Sequence, residues 1–133
     1  MLAITSKSPY AIRALAELAR SGGTAPVPIG EIARRRDIPV QFLEGLFATL
    51  RRAGILQSQR GVKGGYSFAR EPDQLTVLEV VEALEGSLGA EAQRSGGIWV
   101  EAVEALRERL AALTIADVAA REAKAAGAQM YYI

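Results

Sequence analysis

The sequence predicts a mainly α fold carrying one small β-hairpin (α+β), and three observations lead to it. Apolar residues recur at helical spacing in several separate segments. A glycine-rich basic stretch, RGVKGGY from Arg60 to Tyr66, lies between two short β-like runs. Further on, an apolar seam repeats with heptad-like spacing. A short helix, a turn and a longer helix stand directly before the hairpin. Together they describe a winged helix–turn–helix domain followed by a long C-terminal dimerisation helix.

The first helix is expected from about Lys7 to Arg20, with Ser6 or Ser8 as cap and Pro9 in the first turn. Its apolar positions are Tyr10, Ala11, Ala14, Leu15, Leu18 and Ala19. SGGTAPVP, Ser21 to Pro28, then breaks the helix. A second helix covers about Ile29 to Arg36, and Asp37-Ile38-Pro39 makes the turn. The third runs from near Pro39 to Ala53, with Phe42, Leu43, Leu46, Phe47 and Leu50 as its buried stripe and Gly54 as its stop.

The hairpin pairs Ile55–Gln59 with Tyr66–Ala69, and Gly61, Gly64 and Gly65 permit the tight wing. After a turn at Glu71–Gln74, Thr76 and Glu79 form a capping box for a helix over Val77–Glu85. Residues 1–86 form the DNA-binding domain in this reading, and the small, polar stretch 87–97 is a flexible loop. A helix from Ile98 to about Leu113 carries Trp99, Val103, Leu106, Leu110 and Leu113 as its seam. Another begins at Thr114 and ends before Gly127, so that 98–126 are dimerisation helices and 127–133 a tail. The seam packs either on the first helix of its own chain or across a two-fold axis on a second copy.

The 133 residues suit one domain, or a small domain with an appended arm, and half are hydrophobic, enough for a packed core. No apolar run approaches the ~18 residues of a membrane span and no cleavable signal pattern opens the chain. A cytoplasmic protein is expected. Cysteine and histidine are both absent. Disulfides, thiol sensing, Cys/His zinc sites and His-dependent nucleophilic catalysis are excluded with them. Glu101, Glu104 and Glu108 look like one solvated helix face rather than a catalytic set, so an enzyme is not expected.

Charge is divided unevenly. Residues 1–70 hold eleven Lys/Arg against four acids, a balance of +7, whereas residues 71–133 carry −6. That division suits polyanion contact in front and protein contact behind.

At the start of the third helix, Val40, Gln41 and Glu44 lie outside the buried stripe and are candidates for reading base edges in the major groove. Arg60, flanked by glycine, suits a narrow minor groove. Lys7, Arg34, Arg35, Arg51 and Lys63 are candidates for phosphate contacts, which add affinity without sequence information.

Three blocks carry a resemblance: TSKSPYAIRAL, IGEIARRRDIPVQFLEGLFATLRRAGILQSQRGVKGGYSFA and LTVLEVVEALEG. They resemble the Rrf-two family of bacterial winged-helix transcriptional regulators, over residues 4–86 continuously. IWVEAVEALRERLAALTIADVA and MYYI extend the likeness towards the CymR branch of that family. The resemblance implies a homodimer on a pseudo-palindromic duplex, and a role in sequence discrimination for Glu44. Two departures matter. Ser8-Pro9 replaces a frequent Gly-Arg, and the stretch 86–97 lacks the three cysteines of the cluster-binding members, so no thiolate-held iron–sulfur cluster is expected and no cofactor.

The resemblance also implies a repressor of cysteine and sulfur metabolism genes. Tyr131, Tyr132 and Ile133 would then be a partner-binding tail, with O-acetylserine (thiol)-lyase as the partner that captures Ile133. The same residues could instead pack on the protein's own surface. Two other functions remain open at this stage: a regulator controlled by a small ligand at the dimer interface, and an interaction adaptor that no longer binds DNA.

Overall fold

Ala11, Ala14, Leu15 and Leu18 fall on one side of α1, Lys7–Arg20, and all four are buried, which makes this helix the central rod of the molecule. The computed structural model describes residues 4–21 and 23–131, with backbone alone for the last three. The expected cap of α1 is replaced. Ser6 makes no side-chain capping bond. Instead the Glu85 carboxylate accepts from the Thr5 N–H at 2.8 Å, the Thr5 hydroxyl at 2.9 Å and the Ser8 hydroxyl at 2.8 Å. A carboxylate there complements the positive end of the helix, and Ser8 is buried in making the contact.

Helices α2, Ile29–Arg36, and α3, Val40–Arg52, take their expected spans. Asp37 between them adopts φ 54°, a left-handed conformation that Asp tolerates better than most residues, and Ile38 turns inward to 5% exposure. Leu43, Leu46, Phe47 and Leu50 bury one side of α3. At its end the Gly54 N–H bonds Arg51 O and the Ile55 N–H bonds Leu50 O, both at 3.0 Å. With Gly54 at φ 79° this is a Schellman stop, closed by the buried Leu50 and Ile55.

Strands β1, Leu56–Gln59, and β2, Gly65–Phe68, pair antiparallel with Leu56 opposite Phe68 and Gln59 opposite Gly65. One contact was not foreseen. Val27, in the segment expected only to break the helix, exchanges two 2.9 Å backbone bonds with Tyr66. A Cβ on Gly65 would lie 2.3 Å from the Val27 carbonyl, so this glycine is what lets the two backbones meet. Tyr66 also meets Phe47 edge-on at 5.1 Å, which fastens the wing to α3.

Helix α4, Val77–Glu85, is capped by Thr76, whose hydroxyl accepts from the Glu79 N–H at 3.1 Å. The Glu79 carboxylate pairs with Arg70 at 2.7 Å, which leaves half of the expected capping box.

The stretch expected to be a flexible loop is a packed turn. Leu88 and Ala92 are buried, and Ala92–Ser95 forms a 3₁₀ turn. Glu82 accepts from the Leu88 N–H at 2.9 Å and from Arg107. Hydrogen bonding from Leu88 and Arg107 outweighs desolvation, the largest influence, and holds the Glu82 carboxyl below its usual value.

Helix α5, Gly97–Ala111, packs on α4 rather than on α1. Its seam divides. Val103 is buried against Gly89, Leu110 and Leu113 lean on the central core, Leu106 is half-buried and Trp99 is 45% exposed. Helix α6, Ile115–Tyr131, begins with a reciprocal cap between Thr114 and Asp117, at 2.9 and 3.0 Å. Ile115 is fully buried in the same core as α1 and α3. The break expected before Gly127 does not occur, since one glycine inside a helix costs only about 1 kcal/mol. The segment after Leu113 therefore joins the apolar core built by α1 and α3 instead of standing behind it.

Candidate nucleic-acid interface

The first turn of α3 leaves Val40 42% exposed and presents Gln41 and Glu44 to solvent. Leu43 and Leu46, one or two positions away, point into the core, so periodicity alone sorts the candidate readers from the supports. Lys7, the first residue of α1, shares the wall of a surface groove of about 340 Å³ with Gln41, Phe42 and Leu84. This sets an ammonium beside a candidate base reader. The groove is held in shape by an edge-on contact between Tyr10 and Phe42, with centroids 5.4 Å apart.

The three consecutive arginines of α2 divide by helix phase. Arg34 is exposed and has no ion pair among the described residues. Arg35 is partly engaged, with Glu31 and, at 3.3 Å, with Glu17. Arg36 turns inward, four residues after the buried Ile32, and bonds Glu17 at 2.8 Å and Glu122 at 2.6 Å. Its carbonyl accepts from Arg13 at 2.7 Å.

Hydrogen bonding by Glu122 outweighs desolvation and pushes the Arg36 pKa upward. The Glu122 carboxyl is lowered, first by the hydrogen bond from Arg36. For Glu17, burial is the largest influence and raises it, but bonds from Arg36 and Arg35 prevail and its pKa falls. This network is a structural join between α1, α2 and α6. Sequence reasoning did not assign it. The available signal was the i,i+4 relation of Arg36 to Ile32.

On the wing, Arg60 and Lys63 are exposed and neither has an ion pair among the described residues. Between the paired Gln59 and Gly65 the chain makes a turn in which the Gly64 N–H bonds Gly61 O at 3.0 Å. A Cβ on Gly64 would sit 2.2 Å from Gln59 O, so the turn folds back too tightly for any other residue. Val62 and Lys63 occupy its centre, leaving Arg60 at the shoulder. Arg51 and Arg52 are exposed at the far end of α3, where Arg52 donates to the Thr49 hydroxyl at 3.2 Å.

The donor chemistry does not fit a thiolate-held metal. The chain has no cysteine or histidine, and the described residues contain no group of three or more acidic ligands. Where cluster ligands would be sought, between α4 and α5, Gly89 packs so closely on Val103 that a Cβ would lie 2.2 Å from a valine methyl. No described helix is long and apolar enough to cross a membrane. Tyr131 ends α6, while Tyr132 and Ile133 lie outside the described residues.

A family model described as Rrf2, iron-dependent transcriptional regulator, matches residues 4–121. CymR of Bacillus subtilis, a helix–turn–helix transcriptional regulator, is 31% identical over 98% of this chain and 99% of its own length. A regulator of the same type from Synechocystis is 46% identical, but over 64% of this chain and only 58% of its own. Among solved structures, IscR of T. potens superposes with a TM-score of 0.81 at 35% identity, covering 93% of this chain and 90% of that one. The structure of CymR, called the global cysteine regulator of B. subtilis, gives 0.79 at 32% identity, covering 91% and 98%.

Proposed function

As a member of the Rrf2 family of helix–turn–helix transcriptional regulators, this chain is a DNA-binding, non-enzymatic protein, and we propose that it acts as a homodimeric repressor of cysteine and sulfur metabolism genes, governed by a partner protein through its C-terminal segment. The observation that carries this reading is the near end-to-end likeness to CymR, together with the absence of cluster ligands. In this reading α3 enters the major groove through Val40, Gln41 and Glu44. Arg60 meets the minor groove, and Lys7, Arg34, Arg35, Arg51 and Lys63 meet phosphates.

Two copies place two winged helices on a pseudo-palindromic duplex. Trp99 and Leu106, which the chain's own core leaves partly uncovered, contribute to that pairing; Val103, Leu110 and Leu113 support it from behind. Tyr131, Tyr132 and Ile133 form the partner segment, and O-acetylserine (thiol)-lyase is the proposed partner. The Glu122–Arg36 join supports such control, because it ties the helix that leads to this segment to the turn before α3.

The test is in vitro selection of bound duplexes by the purified protein, repeated with the lyase present. The reading expects enriched pseudo-palindromes upstream of sulfur-assimilation genes. It also expects a lyase-dependent change in affinity that disappears when Ile133 is deleted. Enrichment of unrelated genes would overturn the metabolic assignment. A lyase without effect would overturn the partner.

A further inference from the structure

Val62 is the most exposed large apolar side chain among the described residues, with relative exposure of 105%. It stands at the centre of the Gly61–Gly64 turn, next to Lys63 and two residues from Arg60. Solitary exposed apolar residues are ordinary on protein surfaces. This one differs in its mounting. The turn is closed by a 3.0 Å bond and packed at Gly64 too tightly for a Cβ, and Val27 and Phe47 hold the start of the return strand through Tyr66. The molecule presents a stiff β-branched side chain on a braced projection with cations on both sides.

We propose that Val62 is a specificity-determining residue that packs on the minor-groove floor between the flanking contacts of Arg60 and Lys63. The inference rests on the DNA-binding reading above and deepens it. The cations answer the negative potential of the groove, which is strongest where it is narrow, and they fix the direction of approach. What the apolar tip adds is discrimination. A·T pairs present only acceptors on the floor, whereas G·C adds the guanine amino group. A valine cannot bond that amino group and would strip it of water, so the wing disfavours G·C at the base pairs beneath it. Apolar contact with the minor groove is a known device of proteins that bind there.

The experiment uses the full-length dimer and a duplex selected from a randomised pool by the wild-type protein, with G·C substituted in turn at each position under the wing. Val62→Ser is compared with Lys63→Ala across a salt series, and thermal unfolding checks that both variants keep the wild-type transition. Val62→Ser is expected to lower affinity for the selected duplex by roughly tenfold, the scale of leaving one valine unburied. Its salt slope should be unchanged and its penalty for G·C reduced. Lys63→Ala should weaken all duplexes alike and shallow the slope by about one. If Val62→Ser binds as wild type, or weakens every duplex equally, the assignment is overturned while DNA binding stands. If the wild-type protein selects no duplex even at low salt, the DNA-binding reading falls and this inference with it.

Discussion

Arg36, the last residue of α2, donates to both carboxylate oxygens of Glu122 on α6, at 3.0 and 2.6 Å. The pair spans 86 residues of sequence and lies on the inner side of the helix–turn–helix, just before the turn that aims α3. Glu17 of α1 completes it at 2.8 Å from Arg36. The orientation of α3 is thus tied to the C-terminal helix by charge-assisted bonds as well as by the apolar core.

Replacing Glu122 by Ala should lower folding stability by about 1–2 kcal/mol, the range for a hydrogen bond to a charged group, discounted for the pair's partial exposure. Glu122→Gln, which keeps an acceptor oxygen, should lose less. Urea unfolding measures both. Equal stability of all three proteins would show that the pair contributes nothing.

Acid should reveal the same network. The Glu122 carboxyl is lowered chiefly by the bond from Arg36, and that of Glu17 falls because its arginine partners outweigh burial. A depressed carboxyl stabilises the fold fully above its ordinary pKa of 4.5, and this contribution disappears as pH falls through the lower folded value. The stability difference between wild type and Glu122→Gln should therefore be largest near neutrality and shrink below about pH 4. A difference independent of pH would assign the effect to packing.

Arg60→Ala should weaken binding to a selected duplex by about 1–3 kcal/mol without altering the unfolding transition. The loss should be largest on A·T-rich wing sites. Unchanged affinity at near-physiological salt removes Arg60 from the interface.

Gln41→Ala and Glu44→Ala should change which duplexes are preferred more than they change affinity for bulk DNA. Arg34→Ala should lower affinity on every sequence and reduce the salt slope by about one. Binding profiles over a duplex library measure both effects. Identical behaviour of the three variants would dissolve the distinction between reading and positioning residues.

Trp99→Ser should leave the monomer folded, because this ring is 45% exposed, yet weaken self-association in sedimentation. Val103→Asp should instead unfold the chain, since it places a charge in a buried site. If Trp99→Ser sediments as wild type, the interface between copies lies on another face.

Much of the architecture was legible along the chain because its cues are local. The spacing of Leu43, Leu46, Phe47 and Leu50, the stop at Gly54 and the hydroxyl of Thr76 each act within one or two turns of helix. The exposed positions Gln41 and Glu44 followed from the same periodicity. The stretch 87–97 was harder to read, because its small residues suit a mobile loop equally well. Gly89 became a packing residue only when Val103 arrived beside it from α5.

The sequence by itself determined the helices apart from the end of the last one, the wing, the basic front half and the lack of soft metal ligands, all of which depend on near neighbours or on composition. Only the tertiary structure decided that Ser8 serves Glu85 rather than its own helix, that Val27 joins the wing, and that Arg36 is a join while Arg34 stays outside. It also decided that the C-terminal helix enters the same apolar core as α1 and α3, through Ile115. The reason is physical: a charged or polar side chain carries the same local preferences wherever it is placed. Its role is settled by which distant group meets it once the apolar faces have closed and water has been excluded.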